Sequence, residues 1–467
     1  MQNITEDETE KLKECADLSR PHTWFPNARA LHRKIVFHVG PTNSGKTYEA
    51  LEMIKKADSG VYCAPLKLLA AEVYQKLNKS GVPCDFVTGD QRKYAVSKSE
   101  PANHLSTTAE MLPLNLLVDM AVIDEIQMVR DFHRGFAFTR AVLGVAAFEV
   151  HLLEVRRYER KTPLVISTHG LNGLQNIRDG DCIVSFRKRN LFDYVTKLNL
   201  KHGRESAIIF GDLPASMKLT QAAKFNDPKD SCKVLVSTDA VGMGINLDIR
   251  RIIFSELTKK DGTLIEPHLV RQIAGRAGRF GFHEIGTVLA MDEESNNALT
   301  KLMHEPIKDI SKAGILPTLP IMEAFSAHMP GCSLLTLLNK FGEVCSVSAD
   351  FFLCDLDDIR RLALATDHVS LPTLKEKWLF CACYGQGNAI TYEFLVGLLK
   401  DLLSIATSVE GFNRLSDAYD VVGGYLWLSY RFPDRFPDVD KVSCLEGVIE
   451  ERFRESLEFC MKKKTFP

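Results

Sequence analysis

An eight-residue run of small and polar residues has the spacing of a phosphate-binding loop. It follows a β-branched stretch that ends at Val39 and precedes a helical pattern from Tyr48 onward, a context that disfavours a chance glycine-rich turn. Backbone N–H groups of such a loop, together with the helix N-terminus, suit a polyphosphate. Lys46 is predicted to reach the β- and γ-phosphates, and Thr47 to give Mg²⁺ a hydroxyl ligand. The predicted nucleotide-binding residues here are Gly40, Pro41, Thr42, Asn43, Ser44, Gly45, Lys46 and Thr47.

Two adjacent acids end another apolar run. Asp124 and Glu125 directly follow the apolar residues 121–123. We predict that Asp124 holds Mg²⁺ through its water shell, and that Glu125 orients and deprotonates an attacking water. An acid pair at a strand end is more often simply solvated, but its position downstream of a phosphate loop favours the catalytic interpretation.

A third set of candidate residues lies much later in the chain. Arg276 and Arg279 are three residues apart, so they share one helical face, and Gln272 precedes them by one turn. Forked guanidinium groups suit a triphosphate in a cleft. The two arginines are predicted to stabilise charge on the departing γ-phosphate, and Gln272 to hold the attacking water. A surface arginine pair is the alternative if these residues are considered alone.

The sequences of these motifs resemble those of one protein family. GPTNSGKT, APLKLLAAE, VIDEIQM, STDAVGMGIN and QIAGRAGRFG are similar to the Suv-type RNA helicases of the mitochondrial degradosome, which are DExH helicases of the second superfamily. The resemblance extends from about Trp24 to about Phe436. It implies two RecA-like lobes followed by a helical C-terminal region, with ATP and Mg²⁺ between the lobes and single-stranded RNA across their top.

The same resemblance implies an activity, a partner and a location. Members of the family unwind RNA, and often DNA, in the 3′-to-5′ direction in mitochondria. They act with a 3′ exoribonuclease, either polynucleotide phosphorylase or an enzyme of the RNase II type. The acidic start of this chain has no import-signal pattern, so the cytosol and the nucleus stay open as alternatives.

The resemblance also carries over, residue by residue, to positions that would grip the nucleic-acid backbone without reading its sequence. In the first lobe they match motifs at the ends of strands, and in the second lobe two further motifs. Gly242 is placed near the ribose of the nucleotide. The predicted nucleic-acid-binding residues are Pro65, Lys67, Gly89, Thr107, Thr108, Ser185 and Thr238.

Composition narrows the class of protein. Of the 467 residues, 45% are hydrophobic and 25% are charged, and the net charge is -2, which is typical of globular domains and argues against an architectural nucleic-acid binder. The 12 cysteines include no CxxC pair, so we expect reduced thiols rather than a zinc site. No apolar run is long enough to cross a membrane.

The elements that must position these residues follow from hydrophobic patterning. Short β-branched runs alternate with helical patterns between residues 34 and 300, which predicts an α/β fold with parallel sheets covered on both faces. Beyond residue 300, leucines at helical spacing predict a helical region, for example Leu395–Leu403 and Leu415–Leu426. We therefore predict an N-terminal segment (1–30), a first RecA-like lobe (31–160), a second lobe (161–300) and a helical C-terminal domain (301–467).

The sequence departs from the family after Leu153. A coupling motif on a further strand and helix of the first lobe is expected there, but the chain passes directly to residues that read as the approach to the second lobe. We predict that about one βα unit, roughly 30 residues, is absent. Ser167–Gly170 superficially resembles the coupling motif, but its context favours a second-lobe strand. An exposed sheet edge or uncovered apolar surface should result. The alternative function is an ATP-gated RNA-binding or scaffold subunit with impaired unwinding.

Overall fold

The structure is a computed structural model that describes most of the chain. The described residues are 6–39, 46–154, 162–242, 246–259, 262–278, 283–306, 309–368, 371, 373–382, 406 and 408–462. Everything stated below about the structure concerns these residues.

Seven strands form the first sheet, and all pairs in it are parallel except that of β3 with β4. Their spatial order is β1-β7-β6-β2-β5-β3-β4. Apolar and β-branched residues dominate the central strands, as expected for strands buried on both faces. The strands are β1 (Lys34–Val39), β2 (Gly60–Ala64), β3 (Cys84–Val87), β4 (Arg92–Lys93), β5 (His104–Thr108), β6 (Leu117–Ile123) and β7 (Ala146–Glu154).

Helices cover both faces of this sheet. Helices α3 (Lys46–Ile54) and α4 (Lys67–Lys79) bury their apolar sides against one face. Helix α5 (Gly135–Gly144) covers the other face. A short helix, α2 (Pro26–Arg29), precedes the first strand. The carboxyl ends of the parallel strands therefore meet at one edge, where the loops that follow β2 and β6 lie together.

The outer edge of the first sheet is β1. This strand pairs with β7 and with no other strand of the described chain. Ile35 and Phe37 on β1 are 46% and 55% exposed, and Phe148 on β7 is 49% exposed. Ile35 and Phe37 are in register with Val150 and Leu152, which are buried beneath α5, so these exposed side chains share the α5 face. Among the described residues this is an uncovered, apolar edge of the kind expected after Leu153, and the absence of a βα unit there stays a prediction.

Six parallel strands form the second sheet, in the order β10-β11-β9-β12-β13-β8. Residues 167–170 leave β8 as a loop, so their assignment to the second lobe is confirmed but the predicted strand there is wrong. The strands are β8 (Leu164–Ile166), β9 (Asp181–Val184), β10 (Ser206–Ile209), β11 (Val234–Ser237), β12 (Arg251–Phe254) and β13 (Gly286–Ala290).

Four helices cover the second sheet. Helix α6 (Lys188–His202) packs on one face. The other face carries α7 (Ala215–Asn226), α8 (Pro267–Ala274) and α9 (Glu293–His304). The two sheets with their helices are the two RecA-like lobes that the sequence predicted.

The region after residue 304 is mainly helical, as predicted. A helical cluster contains α10 (Leu319–Ala327), α11 (Leu334–Val344), α12 (Asp357–Ala365) and α13 (Leu374–Cys381), and the N-terminal helix α1 (Glu6–Cys15) packs into its core. Two three-residue strands, β14 (Ala313–Ile315) and β15 (Phe351–Leu353), pair beside it and were not predicted. The predicted helical stretch Leu395–Leu403 lies outside the described residues.

Two long helices complete the fold. Helix α14 (Val409–Ser429) packs along α15 (Val439–Lys462), and both extend the hydrophobic core of the second lobe. The ring of Phe412 stacks on Phe192 of α6 at 4.8 Å between centroids. Leu415 and Leu426 are buried on α14, which confirms the helical periodicity. Among the described helices, none is both long and apolar enough to cross a membrane.

Candidate nucleotide-binding and nucleic-acid-binding site

The predicted phosphate-binding loop has a strand before it and a helix after it. Strand β1 ends at Val39 and α3 begins at Lys46, with Thr47 as its second residue. Lys46 and Thr47 therefore occupy the helix N-terminus, where partial positive charge favours an anion. The intervening residues Gly40, Pro41, Thr42, Asn43, Ser44 and Gly45 lie outside the described residues, so their part in the site stays a prediction.

Asp124 is a buried carboxylate at the carboxyl end of β6. The Tyr62 hydroxyl, from the neighbouring strand β2, donates a hydrogen bond to Asp124 Oδ2, and the Glu125 amide donates to Oδ1 at 2.9 Å. Burial raises the pKa of Asp124 to about 6, and the charge of Glu125 adds to this rise. The positive charge of Lys46 opposes the shift, which puts it within electrostatic reach of Asp124. The loop lysine and the acid pair thus belong to one site.

Glu125 has an unusual backbone conformation. Its φ of 55° and ψ of 48° lie in the left-handed region, which a residue with a Cβ atom rarely adopts. Such conformations persist where the surrounding structure imposes them, and they cluster at functional sites. The Gln127 side-chain amide donates a hydrogen bond to Glu125 Oε2. The backbone turn and the amide together orient the carboxylate that was predicted to act as the base.

Arg276 brings the second lobe to the acid pair. Burial lowers the pKa of Arg276, and the negative charges of Glu125 and then Asp124 oppose this shift, so the guanidinium lies within electrostatic range of both acids. Its Nε and Nη2 donate to the carbonyl oxygen of Gly242 at 3.0 and 2.6 Å. Leu68 of α4 packs among second-lobe core residues, so the lobes are in contact beside this site.

The structure describes only some of the other site residues that were predicted in the second lobe. Gln272 lies in the last turn of α8, four residues before Arg276, and is half-buried. Gly242 lies within reach of Arg276, but its carbonyl oxygen already accepts that guanidinium. Arg279 lies outside the described residues, and its predicted role stays a prediction.

Family models and full-length relatives agree on what the chain resembles. The "DEXQ-box helicase domain of Suv3" matches residues 21–166, the "Helicase conserved C-terminal domain" matches residues 166–281, and the "ATP-dependent RNA helicase SUV3 C-terminal domain" matches residues 413–459. The "ATP-dependent RNA helicase SUV3 homolog, mitochondrial" of Caenorhabditis elegans is 44% identical over 490 residues, covering 96% of this chain and 68% of the relative. The chain belongs to the SUV3 helicase family.

Further SUV3 relatives show the same extent of similarity. The Drosophila melanogaster SUV3 homologue is 41% identical, and the match covers 96% of this chain and 65% of that protein. The Homo sapiens "ATP-dependent RNA helicase SUPV3L1, mitochondrial" is 41% identical over 94% of this chain and 62% of its own length. The chain thus spans about two thirds of the relatives' length. Alignments of 490 to 495 positions exceed the 467 residues of this chain, so SUV3 relatives contain residues with no counterpart here.

Two of the predicted nucleic-acid-binding residues of the first lobe are held by protein groups. Lys67, at the start of α4, is half exposed and forms an ion pair with the buried Asp90 at 2.6 Å between Nζ and Oδ2. The carbonyl oxygen of Pro65 accepts a hydrogen bond from Arg134 Nη2 at 2.7 Å. Arg134 also binds Glu110 through its Nε at 2.7 Å. The charge of Lys67 is thus paired with Asp90, and its contact with a phosphate stays a prediction.

Three other predicted contacts of the first lobe are covered. Thr107 is fully buried in β5, and its hydroxyl donates to the carbonyl oxygen of Thr108 at 3.3 Å. Thr108 is 6% exposed. Gly89 lies against the indole of Trp427 on α14, because a Cβ atom at residue 89 would be 2.9 Å from Trp427 Cδ1. Gly89 thus lies at the contact with the C-terminal helices, and the two threonines are buried within the first lobe.

The predicted second-lobe contacts also have intramolecular partners. The buried Ser185 hydroxyl donates to Glu256 Oε1 at 2.5 Å, and the Phe186 amide donates to the same oxygen at 2.8 Å. The Thr238 hydroxyl accepts a hydrogen bond from the Ala240 amide at 3.2 Å and caps the short helix that follows. Both residues lie at the carboxyl edge of the second sheet, as the motifs require.

The residues that sequence reasoning missed are those that support the motif residues. Tyr62, Arg134 and Glu256 are not in the motifs, yet each orients or occupies a predicted site residue. Gln127 offered a signal, since it is the fourth residue of the Asp-Glu-x-Gln box that gives the matching family model its name.

Proposed function

We propose that this protein is an ATP-dependent RNA helicase that acts in mitochondrial RNA degradation. The carrying observation is that Arg276, from the second lobe, lies within electrostatic range of Asp124 and Glu125 of the first lobe, beside the lobe contact at Leu68. A nucleotide in this cleft contacts both lobes, so its hydrolysis changes how the lobes are held together. The descriptions of the SUV3 relatives as mitochondrial RNA helicases support the substrate and the location.

The site fits a nucleotide bound with Mg²⁺. Asp124 is a buried carboxylate whose pKa is raised by burial and by Glu125, so a divalent cation supplies the positive charge that this pair lacks. Asp124, through water, and the Thr47 hydroxyl would hold the ion, and Lys46 would bind the β- and γ-phosphates. The metal's contribution, when bound, is to neutralise charge on the phosphate oxygens.

The chain's own residues supply the remaining steps of hydrolysis. Glu125 accepts a proton from a water molecule held by Gln272, and the water oxygen forms a bond to the γ-phosphorus. The bond between the γ-phosphorus and the bridging oxygen breaks, and ADP leaves with that oxygen. Arg276 and Arg279 stabilise the charge on the transferred group, in the manner of arginine fingers.

Single-stranded RNA would cross the carboxyl edge of both sheets. Phosphates would contact Lys67 and the loops at Pro65, Gly89, Ser185 and Thr238, which grip the backbone without reading the bases. The 3′-to-5′ direction, action on DNA and a 3′ exoribonuclease partner, such as polynucleotide phosphorylase or an RNase II-like enzyme, complete the proposal by family resemblance. No observation favours the scaffold alternative over the helicase.

The test of the catalytic assignment is the Glu125→Gln variant. Loss of the base should reduce RNA-stimulated phosphate release by at least about 100-fold, while the amide preserves the shape of the site and leaves ATP binding intact. Phosphate release and binding of a fluorescent ATP analogue are measured with and without single-stranded RNA. The exposed Glu458→Gln variant on α15 is the matched control and should behave as the parent.

Equal phosphate release by the Glu125→Gln variant and the parent would refute the role of Glu125. Displacement of the shorter strand from RNA duplexes with a 3′ or a 5′ overhang then tests unwinding and direction. Hydrolysis without displacement from either duplex would refute the helicase activity while leaving the nucleotide site intact.

A further inference from the structure

The three tryptophans of this chain line one cavity. The sequence contains three tryptophans, and Trp24, Trp378 and Trp427 all border a cavity of about 780 Å³. Its walls come from the N-terminal segment, from α5 and the loop after β5 in the first lobe, and from helices α12 to α14. A volume of this size is typical of sites for small organic molecules. The cavity is separate from the nucleotide cleft between the lobes.

Several charged groups of the cavity wall are paired, either with each other or with residues next to the cavity. Arg361 lies 2.9 Å from Asp358, and His133 lies 3.2 Å from Asp355. Glu110 is bound by Arg134 at 2.7 Å. The wall therefore has aromatic surface and little net charge, which suits a planar, neutral group better than a phosphate.

Arg431 and Trp427 form the most specific part of this wall. The Arg431 guanidinium lies over the Trp427 ring, with 3.3 Å between Cζ and the ring centroid. Its Nη1 donates to the Trp427 carbonyl oxygen at 2.9 Å, and its Nη2 contacts Met111 Sδ at 3.2 Å. A guanidinium fixed on an indole is a rigid stacking platform, because neither group must be ordered when a base arrives.

The cavity adjoins the predicted nucleic-acid contacts of the first lobe. Glu110 and Met111, in its wall, lie two and three residues after Thr108 in the chain. Trp427 also touches Gly89, another predicted contact. A strand that passes along this edge of the first lobe would therefore have its bases close to Trp427.

We propose that this cavity receives a nucleobase of the RNA strand and stacks it on the Trp427–Arg431 platform. The identity of the ligand as RNA rests on the proposed function. Aromatic stacking is tolerant of base identity because every base has a π-face, so the cavity adds affinity without selecting a sequence. Since the contact is to a neutral base, it adds little to the salt dependence of binding.

The three tryptophans make intrinsic fluorescence a direct probe of the cavity. Parent protein without ATP is titrated with an oligoadenylate RNA and with an abasic oligomer of equal length, while binding is followed independently by anisotropy of an end label. We expect saturable tryptophan quenching by oligoadenylate and no quenching by the abasic oligomer. Equal quenching by both oligomers would overturn the proposal.

Two variants test the platform itself. Trp427→Leu and Arg431→Gln should each weaken oligoadenylate binding by roughly 5- to 100-fold, as for loss of one base stack, with an unchanged salt slope and unchanged affinity for the abasic oligomer. Arg431→Gln keeps all three indoles, so it remains informative if Trp427→Leu does not fold. Phe148→Leu, an exposed aromatic change on β7 outside the cavity, is the control and should bind as the parent. Parent-like affinity in both platform variants would overturn the proposal.

Phosphate release in the same samples separates this proposal from the proposed function. RNA-stimulated hydrolysis without base-dependent quenching refutes the cavity and leaves the helicase. Base-dependent quenching in a protein that does not hydrolyse ATP refutes the helicase and leaves the cavity.

Discussion

Between the two predicted arginine fingers lies a glycine whose conformation the structure explains. Gly278 has a φ of 73°, and a Cβ atom there would lie 2.5 Å from the backbone nitrogen of Gly286. Its amide donates to the Ile249 carbonyl oxygen at 2.8 Å. The turn that follows Arg276 therefore depends on a residue without a side chain, because β13 approaches the backbone too closely for one.

We expect Gly278→Ala to destabilise the protein by about 1 to 3 kcal/mol, through left-handed strain and the clash with β13. The turn would shift Arg276, so RNA-stimulated phosphate release should fall as well. Gly447→Ala is the matched control: nothing lies within 4 Å of a Cβ there, and the helical site should gain about 0.5 to 1 kcal/mol. Urea unfolding measures both changes. Equal stability of Gly278→Ala and the parent would contradict the steric argument.

For individual residues, the sequence predicts which side chains are candidates for the site better than it predicts what those side chains contact. Lys46, Asp124, Glu125 and Arg276 were predicted from the combination of three motifs, and Asp124 lies within electrostatic range of both Lys46 and Arg276. The capture of the Ser185 hydroxyl by Glu256 could not be predicted, since the two are 71 residues apart in sequence and meet only through the fold. Local sequence patterns show which functional groups are available, and the packing of the fold determines which of these groups are already hydrogen-bonded within the protein.

Among the elements, α15 has an acidic face toward the first lobe. Burial raises the pKa of Glu446, and the charges of Asp90 and Glu450 add to the rise, while hydrogen bonds with Tyr419 and Gln91 oppose it. A carboxyl whose pKa is raised on folding favours the folded state only when protonated. Its contribution is therefore lost as pH increases from the ordinary glutamate range through the raised value.

Replacing Glu446 with Gln should consequently raise the melting temperature at pH 8, and the gain should shrink as the pH is lowered toward 4.5. Thermal unfolding followed by circular dichroism at both pH values provides the measurement. The exposed Glu458→Gln change on the same helix should give little gain at either pH. A gain for Glu446→Gln that is independent of pH would show that the carboxyl charge is not the cause.

Strands such as β1, β2, β6, β9, β11 and β12 followed from apolar, β-branched runs, because strands buried on both faces are rich in such residues. Strand β5 was not predicted, because its sequence, His104–Thr108, is largely polar. The order of the strands could not be predicted, since it depends on which runs pair across long stretches of chain. Strands β14 and β15 are three residues each, too short for a periodic signal. The division of the chain at residues 30, 160 and 300 stays a prediction.

At the scale of the whole molecule, the exposed edge strand β1 is the feature that we expect to affect aggregation most. Its outer backbone groups and the side chains Ile35 and Phe37 form an unprotected, apolar sheet edge. Native edges are normally blocked by charges, proline or covering elements. This edge should therefore promote association of partly unfolded chains.

Phe37→Lys should lower aggregation on mild heating, because a charge on an edge strand opposes edge-to-edge pairing. Light scattering against time at a fixed temperature measures the effect, and a several-fold slower rise is expected. The same exchange at Leu200, which is 44% exposed on α6, keeps the added charge but leaves the edge unchanged. If both variants slow the rise equally, net charge rather than the edge is responsible.

Helix α14 contacts both lobes, one near each of its ends. One end is embedded through Phe412 in an aromatic stack of the second lobe, and the other rests through Trp427 on Gly89 of the first. Its 21 residues form a rod of about 30 Å that does not stretch. When the lobes rotate against each other, one attachment has to slide, and the contact of Trp427 and Arg431 with the first lobe is less deeply buried than that of Phe412 with the second. The extent of lobe rotation in each ATPase cycle is then limited by how far Trp427 can move over the surface of the first lobe.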